Sequence, residues 1–171
     1  ELERVAAGSG ADAVLAAEAH PGDRVYLLAF EAEGGRAWLA VDEAGEPVAD
    51  RRRVREAVSI LALCELAEEV AGGGDLDDLL AQLAALRVTE NPPGLDEAEE
   101  AARRLQQVLG GPPALATPAR LDAIGVAARE LELALGSASQ GSPFAAAMRS
   151  ATDVVESLWS DVERAYRIEL G

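Results

Sequence analysis

Glycine and proline cut this chain into short pieces, and no helix can run through the cuts. Gly72-Gly73-Gly74, Asn91-Pro92-Pro93-Gly94, Gly110-Gly111-Pro112-Pro113 and the stretch from Gly136 to Pro143 interrupt it at intervals. Glycine there leaves the backbone unrestrained, and proline removes the amide a helix interior needs. Between the cuts the residues favour helix: 36 of 171 are Ala, and Leu recurs at helical spacing. The expected fold is therefore a set of short helices turned back on one another.

Asp50 is a good N-cap for a helix over residues 51–71. Its middle, Ala57-Val58-Ser59-Ile60-Leu61-Ala62-Leu63-Cys64, is apolar nearly all round, which places it at the centre of the fold. Cys64 then reads as a small buried hydrophobe. Asp75 caps a helix over 75–86 with Leu76, Leu79, Leu80, Leu83 and Leu86 on one stripe. Another covers 95–109, with Glu99/Arg103 and Glu100/Arg104 as i,i+4 pairs on its wet side. Residues 2–19 are also read as helical, interrupted at Gly8-Ser9-Gly10.

Residues 24–42 carry the one β signal. Arg24–Ala32 and Arg36–Asp42 are rich in strand formers and are separated by Glu33-Gly34-Gly35. A two-residue Gly34-Gly35 loop pairs Phe30 with Leu39 and Leu28 with Val41. Leu28, Phe30, Leu39 and Val41 then share a core face, while Val25, Leu27 and Trp38 share a half-covered one. Pro47 suits only an edge strand.

The last third reads as a helical hairpin, with arms over 118–135 and 143–169. Thr117-Pro118 and Ser142-Pro143 are matching start signals, each a cap followed by proline at the first helical position. Leu121, Ile124, Ala128, Leu131 and Leu135 alternate by three and four. So do Phe144, Met148, Ala151, Val155, Leu158, Val162 and Ala165, as in a coiled-coil seam. The second arm also carries Val154, Trp159, Tyr166 and Ile168, so its apolar face is wider than one partner helix covers. Met148, Val155, Leu158, Trp159, Val162 and Tyr166 are accordingly the expected interface with a second copy.

Composition excludes whole classes of chemistry. All 15 basic residues are Arg, so neither a Schiff-base lysine nor a P-loop lysine is present. One Cys forms no internal disulfide, and one Cys with one His makes none of the usual zinc cages. A catalytic triad using histidine would have to use His20, which precedes Pro21 in a turn. A formal charge of −16 opposes binding to nucleic acid and to anionic membranes. No apolar stretch approaches the ~20 residues of a membrane span. Cytoplasmic localisation is the default expectation, with room left for a preceding segment because the chain opens on Glu1.

Two charged clusters are candidate sites. Glu65 and Glu68 end one helix while Asp75 and Asp78 begin the next, and carboxylates converging in this way suit Mg²⁺ or Mn²⁺. The Glu-x-x-Glu then Asp-x-x-Asp pattern resembles the all-α nucleoside-triphosphate pyrophosphatases over barely 20 residues. Leu63-Cys64 stands where that family's first motif opens with tandem Glu. The resemblance implies a metal-dependent nucleotide phosphohydrolase. The acids also have an ordinary role in a helix's first turn, where the macrodipole favours negative charge. Arg51, Arg52, Arg53 and Arg55 at a helix start form a candidate anion site, with pairing to nearby Asp and Glu as the alternative.

These readings combine into an α+β chain that is predominantly α. A small antiparallel hairpin or meander packs on a helical bundle over residues 1–111, and a helical hairpin follows over 112–171. The expected function is a non-enzymatic interaction or structural module that self-associates through its C-terminal helices. It needs no cofactor, forms a homo-oligomer, has room for a protein partner, and engages neither nucleic acid nor membrane. The alternative is the phosphohydrolase.

Overall fold

A computed structural model describes residues 8, 10–33, 35–72, 76–110, 115–136 and 141–165. Three strands, β1 (Ala13–Glu18), β2 (Arg24–Ala32) and β3 (Gly35–Val41), precede α1 (Arg51–Gly72), α2 (Leu76–Thr89) and α3 (Leu95–Leu109). Then come α4 (Pro118–Ala134), α5 (Pro143–Arg149) and α6 (Ala151–Ala165). The α+β, predominantly helical class holds: a small antiparallel sheet packs on helices. Two compact units are present, one of Glu1–Cys64, Ala114–Pro118 and Thr152–Gly171, the other of Glu65–Pro113 and Ala119–Ala151. That grouping differs from a single cut near residue 111.

In the first unit the sheet has order β1-β2-β3. Residues 13–18 form a strand where a helix was expected. Ala-rich sequence favours helix only weakly, and pairing of the whole of β1 with residues 24–29 of β2 outweighs it, with Val14 opposite Leu28 and Ala16 opposite Tyr26. A turn at 19–23 closes the pair, and Glu18 accepts from the Gly22 amide at 3.1 Å.

The β2–β3 register is shifted by two from expectation. Leu28 faces Leu39 and Phe30 faces Ala37, because Gly35, at φ +135°, already pairs with Ala32. A shift of two preserves sidedness, so the core face survives. Ala16, Tyr26, Leu28 and Val41 cluster there, flanked by Val14, Phe30, Leu39 and Leu115. On the opposite face Ala17, Val25, Leu27, Ala29 and Ala40 are buried, while Trp38 is half-buried and Glu31 exposed.

Both sheet edges are short and partly occupied. Ala116 exchanges hydrogen bonds with Ala16 and Glu18 beside β1. Pro47 bridges Val41 beside β3, the edge position a residue without an amide tolerates. Asp50 caps α1 as expected, its Oδ1 accepting from the Arg52 and Arg53 amides at 3.0 and 3.4 Å. Val54, Ala57, Val58 and Leu61 of α1 and Trp159 and Val162 of α6 complete this unit's core.

In the second unit Ala101, Ala102 and Leu105 of α3 meet Ala127, Ala128 and Leu131 of α4. Four of these six residues are alanines. Leu76, Leu79, Leu80 and Phe144 pack around them. Helix α2 runs three residues past its expected end, until Asn91 adopts φ +42° and its amide reaches the Leu86 carbonyl at 2.7 Å.

The expected continuous helix over 143–169 is instead two helices, as far as residue 165. Ser142 caps α5 through the Ala145 amide at 3.1 Å, as the sequence indicated. At Ser150 the helix ends, with φ −82° and ψ 0°, and its hydroxyl back-bonds to the Ala146 carbonyl at 3.3 Å. Such back-bonding competes with the helix ladder. Residues 166–169 lie outside the described residues.

Candidate functional site

The arginine run at the start of α1 is held by carboxylates. Arg51 pairs with Glu163, Arg52 with Glu56 at 3.1 Å, Arg53 with Asp23 at 2.5 Å and Arg55 with Glu156 at 2.5 Å. The guanidinium groups of Arg51 and Arg55 also lie 5.9 and 5.8 Å from the ring centroid of Trp159, within cation–π range. Internal pairing, the alternative to an anion site, is thus formed by all four arginines.

A shallow cleft of about 430 Å³ adjoins this run. Ala19, Ile60, Leu63 and Pro118 give it apolar walls, and His20, Arg52, Arg55, Glu56 and Ser59 give it polar ones. His20 is 2.9 Å from Glu56. Arg52 first, and then His20, hold the Glu56 carboxyl below the ordinary carboxylate range.

The acidic candidates do not converge on a metal site among the described residues, where no group of three or more His, Cys, Asp or Glu is placed to hold an ion. Glu65 is exposed, and Asp75 lies outside the described residues. Glu68 accepts two hydrogen bonds from Arg120, at 3.0 and 2.6 Å. Asp78 is also engaged by a partner, and its neighbour Asp77 takes the Gln106 amide at 2.7 Å.

The six residues expected at a self-association interface are dispersed. Trp159 and Val162 are buried. Met148, Val155 and Leu158 are half-buried, and Tyr166 lies outside the described residues. In the hairpin's first arm, Ile124, Ala128 and Leu131 are buried, with Ala128 and Leu131 in the cluster that α3 completes.

One stretch of exposed apolar surface lies on the other side of α4; Leu86, Val88 and Val154 are exposed elsewhere in the chain. Val126 is 59% exposed and Leu133 53%, and Leu135 beyond the helix end is also open. Asp122, Val126, Arg129 and Leu133 succeed one another by four, three and four residues, so they form one outward stripe. Beside it lies a groove of about 420 Å³, lined by Gly125, Arg129, Glu132, Leu133, Phe144 and Ala145 among others. The Phe144 ring packs over Gly125, where a Cβ would sit 3.4 Å from its Cε1. Glu132 Oε1 accepts from the Phe144 amide at 3.1 Å, and its buried Oε2 has no partner among the described residues.

Sequence reasoning missed this stripe because it followed only the seam that α4 buries. The signal was there: Val126 and Leu133 are a second apolar pair one heptad apart on the same helix. No family model, curated protein or solved structure matches the chain.

Proposed function

We propose that this chain is a non-enzymatic protein-interaction module that self-associates through its C-terminal helices, with α4 as the contact helix. The observation that carries the reading is the pair Val126 and Leu133, both more than half exposed on one face beside an apolar groove. An exposed apolar patch of this kind commonly marks an association surface. Full burial of a Val or Leu side chain contributes about 1.5–3 kcal/mol, and a symmetric contact counts each residue twice. A stripe this short is therefore better matched to a second copy than to a partner that brings nothing like it.

Light scattering across a concentration series tests the reading. Wild-type protein should exceed the monomer mass at micromolar concentrations. Val126→Arg should return it to monomer with an unchanged circular dichroism spectrum. A wild-type chain that stays monomeric throughout would remove the proposal.

A further inference from the structure

Resting on that reading, we infer that two copies pair α4 against α4 in antiparallel fashion about a two-fold axis at Val126, with Asp122 of each copy facing Arg129 of the partner subunit. Asp122 and Arg129 both point to solvent, and neither makes an ion pair within the described residues. Among the described residues Arg24, Arg51, Arg52, Arg53, Arg55, Arg87, Arg104 and Arg120 do find a carboxylate. An aspartate and an arginine left open on one helix face, on either side of an exposed valine, are complementary to their own image.

The spacing sets the geometry. In an antiparallel pair centred on residue 126, the position three residues after the axis meets the position three before it. Arg129 thus lies opposite residue 123, about 1.5 Å along the axis from Asp122, a gap its long side chain spans. Asp122 and Arg129 are one heptad apart, so they occupy nearly the same flank of the helix. A two-fold perpendicular to the helix axis keeps that flank against its counterpart, and both ion pairs form on the same side of the seam.

Steric fit agrees with the charge. Leu133 meets Ala119 of the partner subunit, and Ala119 and Ala123 are both exposed. Small residues there permit the interaxial approach of about 8–10 Å that packed helices adopt. Glu130, on the opposite flank, is already held by Arg104 at 2.8 Å. Two chains of charge −16 repel at long range. Opposite charges in register at the contact supply the local attraction and select the orientation.

Charge exchange tests this pairing apart from self-association in general. Asp122→Arg and Arg129→Asp each create like-charge contacts across the axis, and each should weaken dimerisation by about tenfold or more. Mixing the two single variants should restore a dimer as a one-to-one heterodimer in native mass spectrometry, because each then brings the charges the other lacks. The double variant Asp122→Arg/Arg129→Asp should dimerise as wild type does. Restoration on mixing also shows that the single variants are folded. Wild-type dimers that persist unchanged in both single variants would overturn the antiparallel register and leave self-association standing. So would single variants that stay monomeric after mixing. A wild-type chain that is monomeric at every concentration would overturn both.

Discussion

Helices α1 and α4 both carry arginine beside exposed surface, and they use it in opposite ways. Four guanidinium groups crowd the start of α1, where the helix dipole disfavours positive charge. Each of them reaches a carboxylate within its own unit, and two of them also lie close to the Trp159 ring. On α4 a single arginine and a single aspartate stand open beside two exposed aliphatic residues. The denser cluster is conspicuous in the sequence, yet its demand for opposite charge is met internally. The sparser one leaves both charge and apolar area unsatisfied. What distinguishes a surface that needs a partner is unmet demand, not the number of charged residues.

Substitutions can break this contrast, and the largest effect belongs to α6. Trp159 is 5% exposed, so Trp159→Ala should cost about 3–5 kcal/mol in urea denaturation. A variant of unchanged stability that only changes mass would make Trp159 an intermolecular contact and erase the difference between the regions. Next is Leu105→Ala, at a residue 1% exposed in the core between α3 and α4, which should lose about 2–5 kcal/mol. Val126→Ala, measured on dilute protein, should stay within about 0.5 kcal/mol of wild type. Equal losses at 105 and 126 would show that the stripe belongs to the fold.

A smaller effect separates the arginine-rich end by pH. Arg52, and secondarily His20, lower the folded-state Glu56 pKa below its ordinary 4.5. A lowered carboxyl pKa stabilises the fold above the unfolded-state value, and that contribution disappears as pH falls through the lower folded value. Melting temperatures of wild type and Glu56→Gln should therefore differ at neutral pH and converge in acid. A difference that grows on acidification would contradict the assignment. The smallest effect concerns ions. Because Glu68 is held by Arg120 and the α1 arginines are paired, Mg²⁺, Mn²⁺ or phosphate should leave the melting temperature unchanged. A rise of several degrees would reveal a site by selective binding to the folded state.

Much of the helical layout was legible. Residues 95–109 and the start signals at Asp50 and Ser142-Pro143 came directly from capping chemistry and glycine-proline breaks, which act locally. The β2–β3 pair was legible in its faces and not in its register, since side-chain sidedness repeats every two residues and a shift of two leaves it unchanged. The strand at Ala13–Glu18 was hidden because alanine has no strong strand preference of its own, and what makes it a strand is the neighbour. The α4 stripe was obscured for a related reason: periodicity gives a helix two apolar faces without saying which one another helix will cover.

The amino-acid sequence alone determined where helices start and stop, which face of the hairpin is apolar, and that lysine-dependent chemistry and internal disulfides are absent. Those properties follow from backbone restriction, side-chain periodicity and composition, each of which acts within a few residues or is a simple count. Tertiary structure alone decided that α6 groups with the sheet-bearing unit, that the α1 arginines pair with carboxylates, and that Val126 and Leu133 remain open. Pairing and burial depend on residues distant in the chain: Arg55 meets Glu156 across 101 positions, and no local pattern encodes such a meeting.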